Sequence, residues 1–378
     1  MLSAFPPGAK RRKLEPQEAV HNEKTAISTY KALKLRSIQK PKQHGISVCV
    51  PDSELCTPFY LDFCHHAHGG HVLAVGDEDG RTTLLRTDKD NNADNAEYHH
   101  SFYCHKHSIT DIKWSNNDTM LLTAATDRLV RLWDVEVETS LAEFSGHGDV
   151  VKSVNWHPSN EHLLVTGSKD GSYRVWDTRF NQRAAADPND LTRIPVYNPI
   201  KVVPDAHKTS VPRGGKRTGP KPQRIRSVTC AMFLNKDEDK IISSGSTDGR
   251  SKCGIFEADA VRLWTARGQR LFSSCMDNHI YMHYLSDLSK PALKFSDPEY
   301  KVGGFDTRIS LSPDDRFLLS GSFNKGLFAW EVDHPNAKAQ RFEGHTEKVT
   351  GVSWSKTSMF QFASCSEDFN TRIWNFEF

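Results

Sequence analysis

Residues 146–179 read Gly146-His147-Gly148-Asp149-Val150-Val151-Lys152-Ser153-Val154-Asn155-Trp156-His157-Pro158, then Leu163-Leu164-Val165-Thr166-Gly167-Ser168-Lys169-Asp170-Gly171-Ser172-Tyr173-Arg174-Val175-Trp176-Asp177-Thr178-Arg179. A Gly-His pair opens the stretch and Trp176-Asp177 closes it. Between them, Val151, Ser153 and Asn155 alternate with Lys152, Val154 and Trp156, the period of a strand whose two faces meet different surroundings. Leu163-Leu164-Val165 begins a second strand. Lys169-Asp170-Gly171 supplies a tight turn, with glycine where the backbone turns left-handed. The chain then returns through Tyr173 to Asp177, so the stretch is a set of adjacent antiparallel strands.

Two distances test whether this unit repeats. From the turn Asp to the Trp of the next strand is six residues for Asp127 and Trp133, Asp170 and Trp176, and Asp368 and Trp374. Asn324 and Trp330 keep the same distance with Asn for Asp. From the leading His to the Trp of the first strand is nine residues for His105 and Trp114, His147 and Trp156, and His345 and Trp354. Asp79 to Leu85 and Asp277 to His283 keep the first distance without the Trp. The pattern resembles the WD repeat, in which each unit is one four-stranded propeller blade. The expected fold is all-β: a seven-bladed WD-repeat β-propeller over residues 46–378 behind a disordered basic tail, 1–45. At about 40–45 residues per blade, 378 residues hold seven blades and a tail.

The spacing has a chemical reason. A loop His can bond the turn Asp and a strand hydroxyl, and that hydroxyl can take the Trp indole N–H. Each buried polar group then has a partner. The expected sets are His105, Thr123, Asp127 and Trp133; His147, Thr166, Asp170 and Trp176; and His345, Ser364, Asp368 and Trp374. They are structural rather than catalytic.

Net charge is +2 and decides nothing about partners. No apolar run reaches the length of a membrane helix, and the N-terminus has no apolar core of a secretory signal. Eight cysteines are scattered without a Cys-x-x-Cys pair, which suits free thiols in a reducing compartment. Cys64, His65, His66, His68 and His71, with His99, His100, Cys104, His105 and His107, are metal-ligating types. Their spacing matches no closed four-ligand pattern, so no metal and no cofactor are expected.

Lys10-Arg11-Arg12-Lys13 reads as a nuclear-import signal in a polar tail, and the expected location is nuclear. Residues 46–50 (Ile-Ser-Val-Cys-Val) read as a strand that pairs beside the final repeat and removes a free sheet edge. Residues 180–226 form a Pro- and Gly-rich insertion between blades 3 and 4, with ten basic and three acidic residues. They read as a mobile loop able to meet phosphates or an acidic partner. Blades 4 and 5 are irregular. Asp248 to Trp264 is sixteen residues, ten more than the repeat distance, and 250–259 is the excess. Only nineteen residues then separate Trp264 from His283, against 43 between Trp133 and Trp176. The outer strand of blade 4 and the first strand of blade 5 are expected to be missing.

No phosphate-binding Gly-rich loop, no Gly-x-Ser-x-Gly and no informative carboxylate pair occurs, so the chain reads as a non-catalytic binding scaffold. One motif is more specific. Trp176-Asp177-Thr178-Arg179, preceded by Leu164, Val165, Gly167, Ser168, Asp170 and Val175, resembles the Trp-Asp-x-Arg box of WD-repeat substrate receptors. Such receptors dock onto the triple-propeller adaptor of cullin-4 RING ubiquitin ligases. An Arg just past a strand end can pair bidentately with a partner carboxylate, with Asp177 orienting it.

The propeller as a whole is similar to the denticleless family of such receptors. The residues carrying this are Val175-Trp176-Asp177-Thr178-Arg179 before a long basic insertion, Ser227-Val228-Thr229, and Cys275-Met276-Asp277-Asn278-His279-Ile280-Tyr281-Met282. Ser310-Leu311-Ser312-Pro313-Asp314-Asp315-Arg316-Phe317-Leu318-Leu319-Ser320-Gly321-Ser322, the Thr350-Gly351-Val352-Ser353-Trp354 run and the ending Cys365 to Trp374 add to it. The resemblance implies a ligase subunit that presents replication and cell-cycle proteins for ubiquitylation in S phase or after DNA damage. It implies degron-bearing substrates bound to the sliding clamp on DNA, no small-molecule substrate and no membrane. The adaptor-binding residues it implies are Asp177, Arg179 and, in a second box reduced to Trp264-Thr265-Ala266-Arg267, Arg267. Larger members carry a C-terminal tail that helps engage clamp and DNA. This sequence stops four residues after Trp374, so the resemblance leaves open whether clamp or DNA is contacted directly. The alternative reading is a chromatin- or histone-binding WD-repeat scaffold outside any ligase.

Overall fold

The structure is a computed structural model that describes residues 43–44, 56–88, 99–180, 194–207, 227–234, 240–245, 260–264, 269–303 and 307–375. Apart from one short 3-10 segment these residues are strands, turns and loops. The first described strand is β1 (Gln43–His44). Blade 1 is β2 (Pro58–Phe63), β3 (Val72–Asp77), β4 (Arg81–Arg86) and β5 (His99–Tyr103). Blade 2 is β6 (Ile109–Trp114), β7 (Met120–Ala125), β8 (Val130–Asp134) and β9 (Thr139–Phe144). Blade 3 is β10 (Val151–Trp156), β11 (Leu163–Ser168) and β12 (Tyr173–Asp177), followed by β13 (Val196–Tyr197) and β14 (Lys201–Val203).

After these comes a two-stranded sheet, β15 (Val228–Phe233) and β16 (Ile241–Gly245). Blade 5 is β17 (Ala260–Trp264), β18 (Arg270–Cys275), β19 (His279–Tyr284) and β20 (Leu293–Phe295). Blade 6 is β21 (Ile309–Leu311), β22 (Phe317–Gly321), β23 (Leu327–Glu331) and β24 (Gln340–Phe342). Blade 7 is β25 (Val349–Trp354), β26 (Gln361–Ser366) and β27 (Thr371–Asn375).

Seven blades were expected; the described residues form six, with the two-stranded sheet in the fourth position. The reason lies in β17. With 250–259 read as excess, Trp264 stands as a third-strand residue of blade 4. Instead Ala260–Trp264 runs antiparallel to β18, pairing Ala260 with Ser274 and Trp264 with Leu271 across an irregular register. An unpaired inner edge on β18 would leave a row of backbone donors and acceptors open. β17 closes it, so blade 5 has four strands and the first strand expected to be missing is supplied by Ala260–Trp264.

Closure at the chain ends also differs in detail. Gln43 pairs with Trp374 and His44 with Ile373, so β1 is the fourth strand of blade 7. The pairing strand thus lies just before 46–50, which falls outside the described residues.

The basic insertion is structured in part. β14 is the fourth strand of blade 3, antiparallel to β12, and β13 adds a fifth strand to blade 2, parallel to β9. The mobile-loop reading of 180–226 therefore fails for 194–207. Val196-Tyr197 and Lys201-Val202-Val203 have the β-branched and aromatic residues of edge strands, which a net count of basic residues hides.

Apolar packing runs between blades. Leu122, Val130 and Phe144 of blade 2 pack with Val154, Leu164 and Trp176 of blade 3. Leu61, Phe63 and Leu73 of blade 1 meet Ala363, Cys365 and Ile373 of blade 7, so the ring closes through core contacts. The two-stranded sheet joins both neighbours, with Val228 and Phe233 against Val165 and Val175, and Met232 and Ile242 against Leu271. Each blade's sheet buries both faces against its neighbours, which is why most strands are apolar on both sides.

Inner strands are stitched by side chain to backbone bonds. Trp114 N–H donates to Asp62 at 3.2 Å, Val154 N–H to Asp111 at 3.1 Å, Ala231 N–H to Ser153 at 3.1 Å and Trp354 N–H to Ser310 at 2.9 Å.

Candidate docking site

β12 ends at Asp177, and the box follows directly. The β10–β11 turn lies beside it: Thr178 N–H donates to His162 O at 3.0 Å, and His162 Nδ1 meets Thr178 Oγ1 at 3.1 Å. These contacts tie the strand end to the turn. Asp177 is buried and caps the bend, taking the Arg179 backbone N–H at 2.9 Å.

The same carboxylate takes two side-chain bonds from Arg179, Nε to Oδ1 at 3.0 Å and Nη2 to Oδ2 at 2.7 Å. Asp177 is nearly sealed while Arg179 is half exposed. The Arg179 bonds hold the Asp177 carboxyl below the usual carboxylate range, and the carboxylate raises the guanidinium in turn. A guanidinium has five N–H donors. Asp177 engages its side-on fork, so the end-on fork formed by Nη1 and Nη2 is left to pair with a further carboxylate. Phe180, itself 61 % exposed, lies 5.4 Å from the guanidinium carbon. Sequence reasoning missed Phe180; its signal was an aromatic next to the box, at the start of a polar insertion. Arg267, Lys10, Arg11, Arg12 and Lys13 lie outside the described residues.

The opposite end of the blades carries the His-Asp sets. His105 Nδ1 lies 2.8 Å from Asp127, its Nε2 is 2.9 Å from Thr123 Oγ1, and Trp133 Nε1 donates to that oxygen at 3.1 Å. For His147, Asp170, Thr166 and Trp176 the distances are 3.0, 2.7 and 2.9 Å. For His345, Asp368, Ser364 and Trp374 they are 2.9, 2.8 and 2.8 Å.

The indole can only donate and the carboxylate can only accept, so each chain runs one way: Trp to hydroxyl to His Nε2, with His Nδ1–H to Asp. Burial lowers the His147 pKa, keeping the ring neutral as this direction requires. Burial alone would raise Asp170, but hydrogen bonds from His147, Ser172 and Gly148 outweigh it and hold it low. The His, Asp, hydroxyl and Trp side chains of these sets all have hydrogen-bond partners.

Two further members were not read from the sequence. In the fourth position His207 is buried and its Nε2 meets Ser243 Oγ at 3.2 Å. The insertion after His207 breaks the nine-residue distance that would have found it. In blade 6, Tyr300 replaces the His: it is fully buried and its hydroxyl lies 3.0 Å from Ser320 Oγ.

Among the described residues no group of three or more His, Cys, Asp or Glu is placed to hold a metal. Cys64 takes the Val72 N–H, His65 bonds Asp118 and His105 bonds Asp127, so these candidates are spent on the fold.

The sequence profile of the WD domain, G-beta repeat family matches residues 96–134, 138–177 and 337–375. The chain is 31 % identical to the denticleless protein homolog of Danio rerio over 354 residues, covering 84 % of this chain and 51 % of that protein. It is 28 % identical to the Homo sapiens denticleless protein homolog, over 84 % of this chain and 46 % of the other. This is a denticleless-type WD-repeat protein. Protein lethal(2)denticleless of Drosophila melanogaster is 28 % identical, over 80 % of this denticleless-type chain and 42 % of the other. The chain spans about half the length of the curated relatives it matches. The Myceliophteria thermophila Cps50 (Swd1) β-propeller domain aligns with a TM-score of 0.61 at 18 % identity, over 85 % of this chain and 97 % of that one, a likeness of fold.

Proposed function

We propose that this propeller is the substrate-recognition subunit of a cullin-4 RING E3 ubiquitin ligase, without catalytic groups of its own. It docks to the triple-propeller adaptor and presents replication and cell-cycle proteins, some of them clamp-bound on DNA, for ubiquitylation. The observation that carries this is Arg179. A half-exposed guanidinium is fixed by a buried carboxylate at a strand end, with one bidentate fork left over. A solvated arginine with no task would lose rotamer freedom in this arrangement for little stability. Similarity to denticleless proteins over most of the chain supports the same reading. The work is nuclear, with Lys10-Arg11-Arg12-Lys13 as the import signal.

The test is co-purification of the native chain and Arg179→Ala with the adaptor, side by side. The reading predicts capture by the native chain and a loss of about tenfold or more in the variant. Equal capture by both, or none by a folded native chain, would reject it and favour a scaffold outside any ligase.

A further inference from the structure

The end of the propeller opposite Asp177 has a built face. The turns between second and third strands follow one pattern there: Glu78-Asp79-Gly80, Thr126-Asp127-Arg128, Lys169-Asp170-Gly171, Met276-Asp277-Asn278, Phe323-Asn324-Lys325 and Glu367-Asp368-Phe369. The third residue is left-handed each time, with φ between 62° at Lys325 and 84° at both glycines. Gly and Asn suit that conformation, and an aromatic is among the residues least suited to it. Phe369 holds it at φ 66° and is 37 % exposed. Strain and exposure together serve neither turn nor core.

Phe369 is not alone. Phe323 is 56 % exposed on the neighbouring turn, and a Cβ on Gly303 would collide with its ring, so the ring is seated on backbone. Met276, 37 % exposed, is on the turn beyond. Blades 5, 6 and 7 thus present one apolar tip each on one face, whereas blades 2 and 3 present Arg128 and Lys169. A row of exposed apolar side chains with polar surroundings marks an interaction surface.

At the head of β21, on the same face, Arg308 leans into the central channel. Its Nη2 donates to Thr110 O at 2.9 Å across the channel, and its guanidinium lies 4.4 Å from the Tyr60 ring centre. Arg308 is buried, and its Nε has no acceptor. Asp111 forms an ion pair with its Nη2 at 3.9 Å, and the two Asp111 oxygens also accept the Val154 and Ile112 N–H groups. The guanidinium borders a cavity of about 90 Å³ lined also by Lys113, Asn155 and Ser310, and by the carboxylates of Asp62 and Asp111. A buried guanidinium with its Nε–H unpaired beside such a space can take one further acceptor, and an acidic side chain supplies the strongest one.

We infer that this face binds an extended acidic peptide, with one acidic side chain in the channel mouth on Arg308 and apolar side chains over Phe323 and Phe369. This deepens the receptor reading, since the peptide is then the kind of substrate segment presented. It is separable from adaptor docking because Arg179 lies at the other end of the blades.

The probe is a displayed library of random linear peptides panned against the full chain. The best binder is then measured by fluorescence polarisation, beside its Asp→Asn or Glu→Gln version and a phosphoserine version. Selected peptides are expected to share an acidic residue flanked by apolar ones, and the amide version to bind about tenfold weaker. A phosphoserine version that binds tighter than the carboxylate one assigns the channel mouth to a phosphoryl group. Phe369→Asn is expected to melt at or above the native chain, because Asn suits the turn, yet to bind about tenfold weaker. Phe323→Ala should weaken binding likewise, and Arg308→Gln should abolish the preference for acid over amide. No selected peptide, peptides without an acidic residue, or unchanged affinity in Phe369→Asn and Phe323→Ala would each overturn the inference. Adaptor capture by Phe369→Asn is expected to stay native, so failure here and failure of docking are distinguishable.

Discussion

Arg179 is held by the residue two places before it: the Asp177 carboxylate takes its Nε and Nη2 hydrogens at 3.0 and 2.7 Å. The pair needs no long-range contact to form, yet its direction depends on the β12 end being fixed against His162. Arg179→Lys keeps the charge and loses the fork. In a binding measurement on immobilised adaptor, this variant should be as weak as Arg179→Ala. Asp177→Asn should fall between them and the native chain, since the arginine survives without its anchor. Native affinity in Arg179→Lys would show that charge alone suffices.

Thr166 stands between His147 and Trp176, donating to one and accepting from the other. Thr166→Val has nearly the same shape and leaves an imidazole nitrogen and an indole N–H buried without partners. Urea unfolding should show a loss of about 2–4 kcal/mol. Thr166→Ser, which restores the hydroxyl, should recover most of it.

Acid should unfold this protein through the same sets. Asp127, Asp170 and Asp368 are all held below the ordinary carboxylate value; burial opposes this, and their His and backbone hydrogen bonds override it. The folded state therefore binds fewer protons than the unfolded chain. The stability they contribute is complete above the unfolded carboxylate value, about pH 4, and is lost as pH falls below it. His147 is also lowered, by burial, so its contribution begins to fade below about pH 6.5. Melting temperature against pH should decline gently from there and steeply under pH 4. Asp170→Asn should flatten the steep part.

Thiol reactivity follows burial. Desolvation raises Cys64 to about 11 and Cys56, Cys104 and Cys365 to about 12. The thiolate is the reactive form. At pH 8, iodoacetamide followed by intact-mass measurement should leave these four unmodified in the native protein and modify them in urea.

Tyr300 stands in blade 6 where other blades have His, with its hydroxyl on Ser320. Ser320 also bonds the Gly321 carbonyl, at 2.9 Å. Tyr300→Phe should therefore cost only about 1 kcal/mol in urea unfolding, well under Thr166→Val.

The repeating distances, the blade type, the three His-Asp-hydroxyl-Trp sets and the box at Asp177 and Arg179 were legible in the sequence. Each depends on residues within one blade, where spacing along the chain translates directly into position across two or three strands. His207 and Tyr300 were not, one because an insertion intervenes and the other because Tyr does the work of His.

What only the tertiary structure decided is pairing between segments that compete for the same edge. The spacing to Trp264, once 250–259 is set aside, marks 260–264 as a strand but does not say which neighbour it serves. The open inner edge of β18 decides that, and the described residues form six blades rather than seven. Likewise Lys201–Val203 looks like part of a basic loop until β12 presents a free edge to it. Strand hydrogen bonds are made by backbone common to all residues, so local sequence specifies that a strand forms. The edges left open by the rest of the ring specify where it goes.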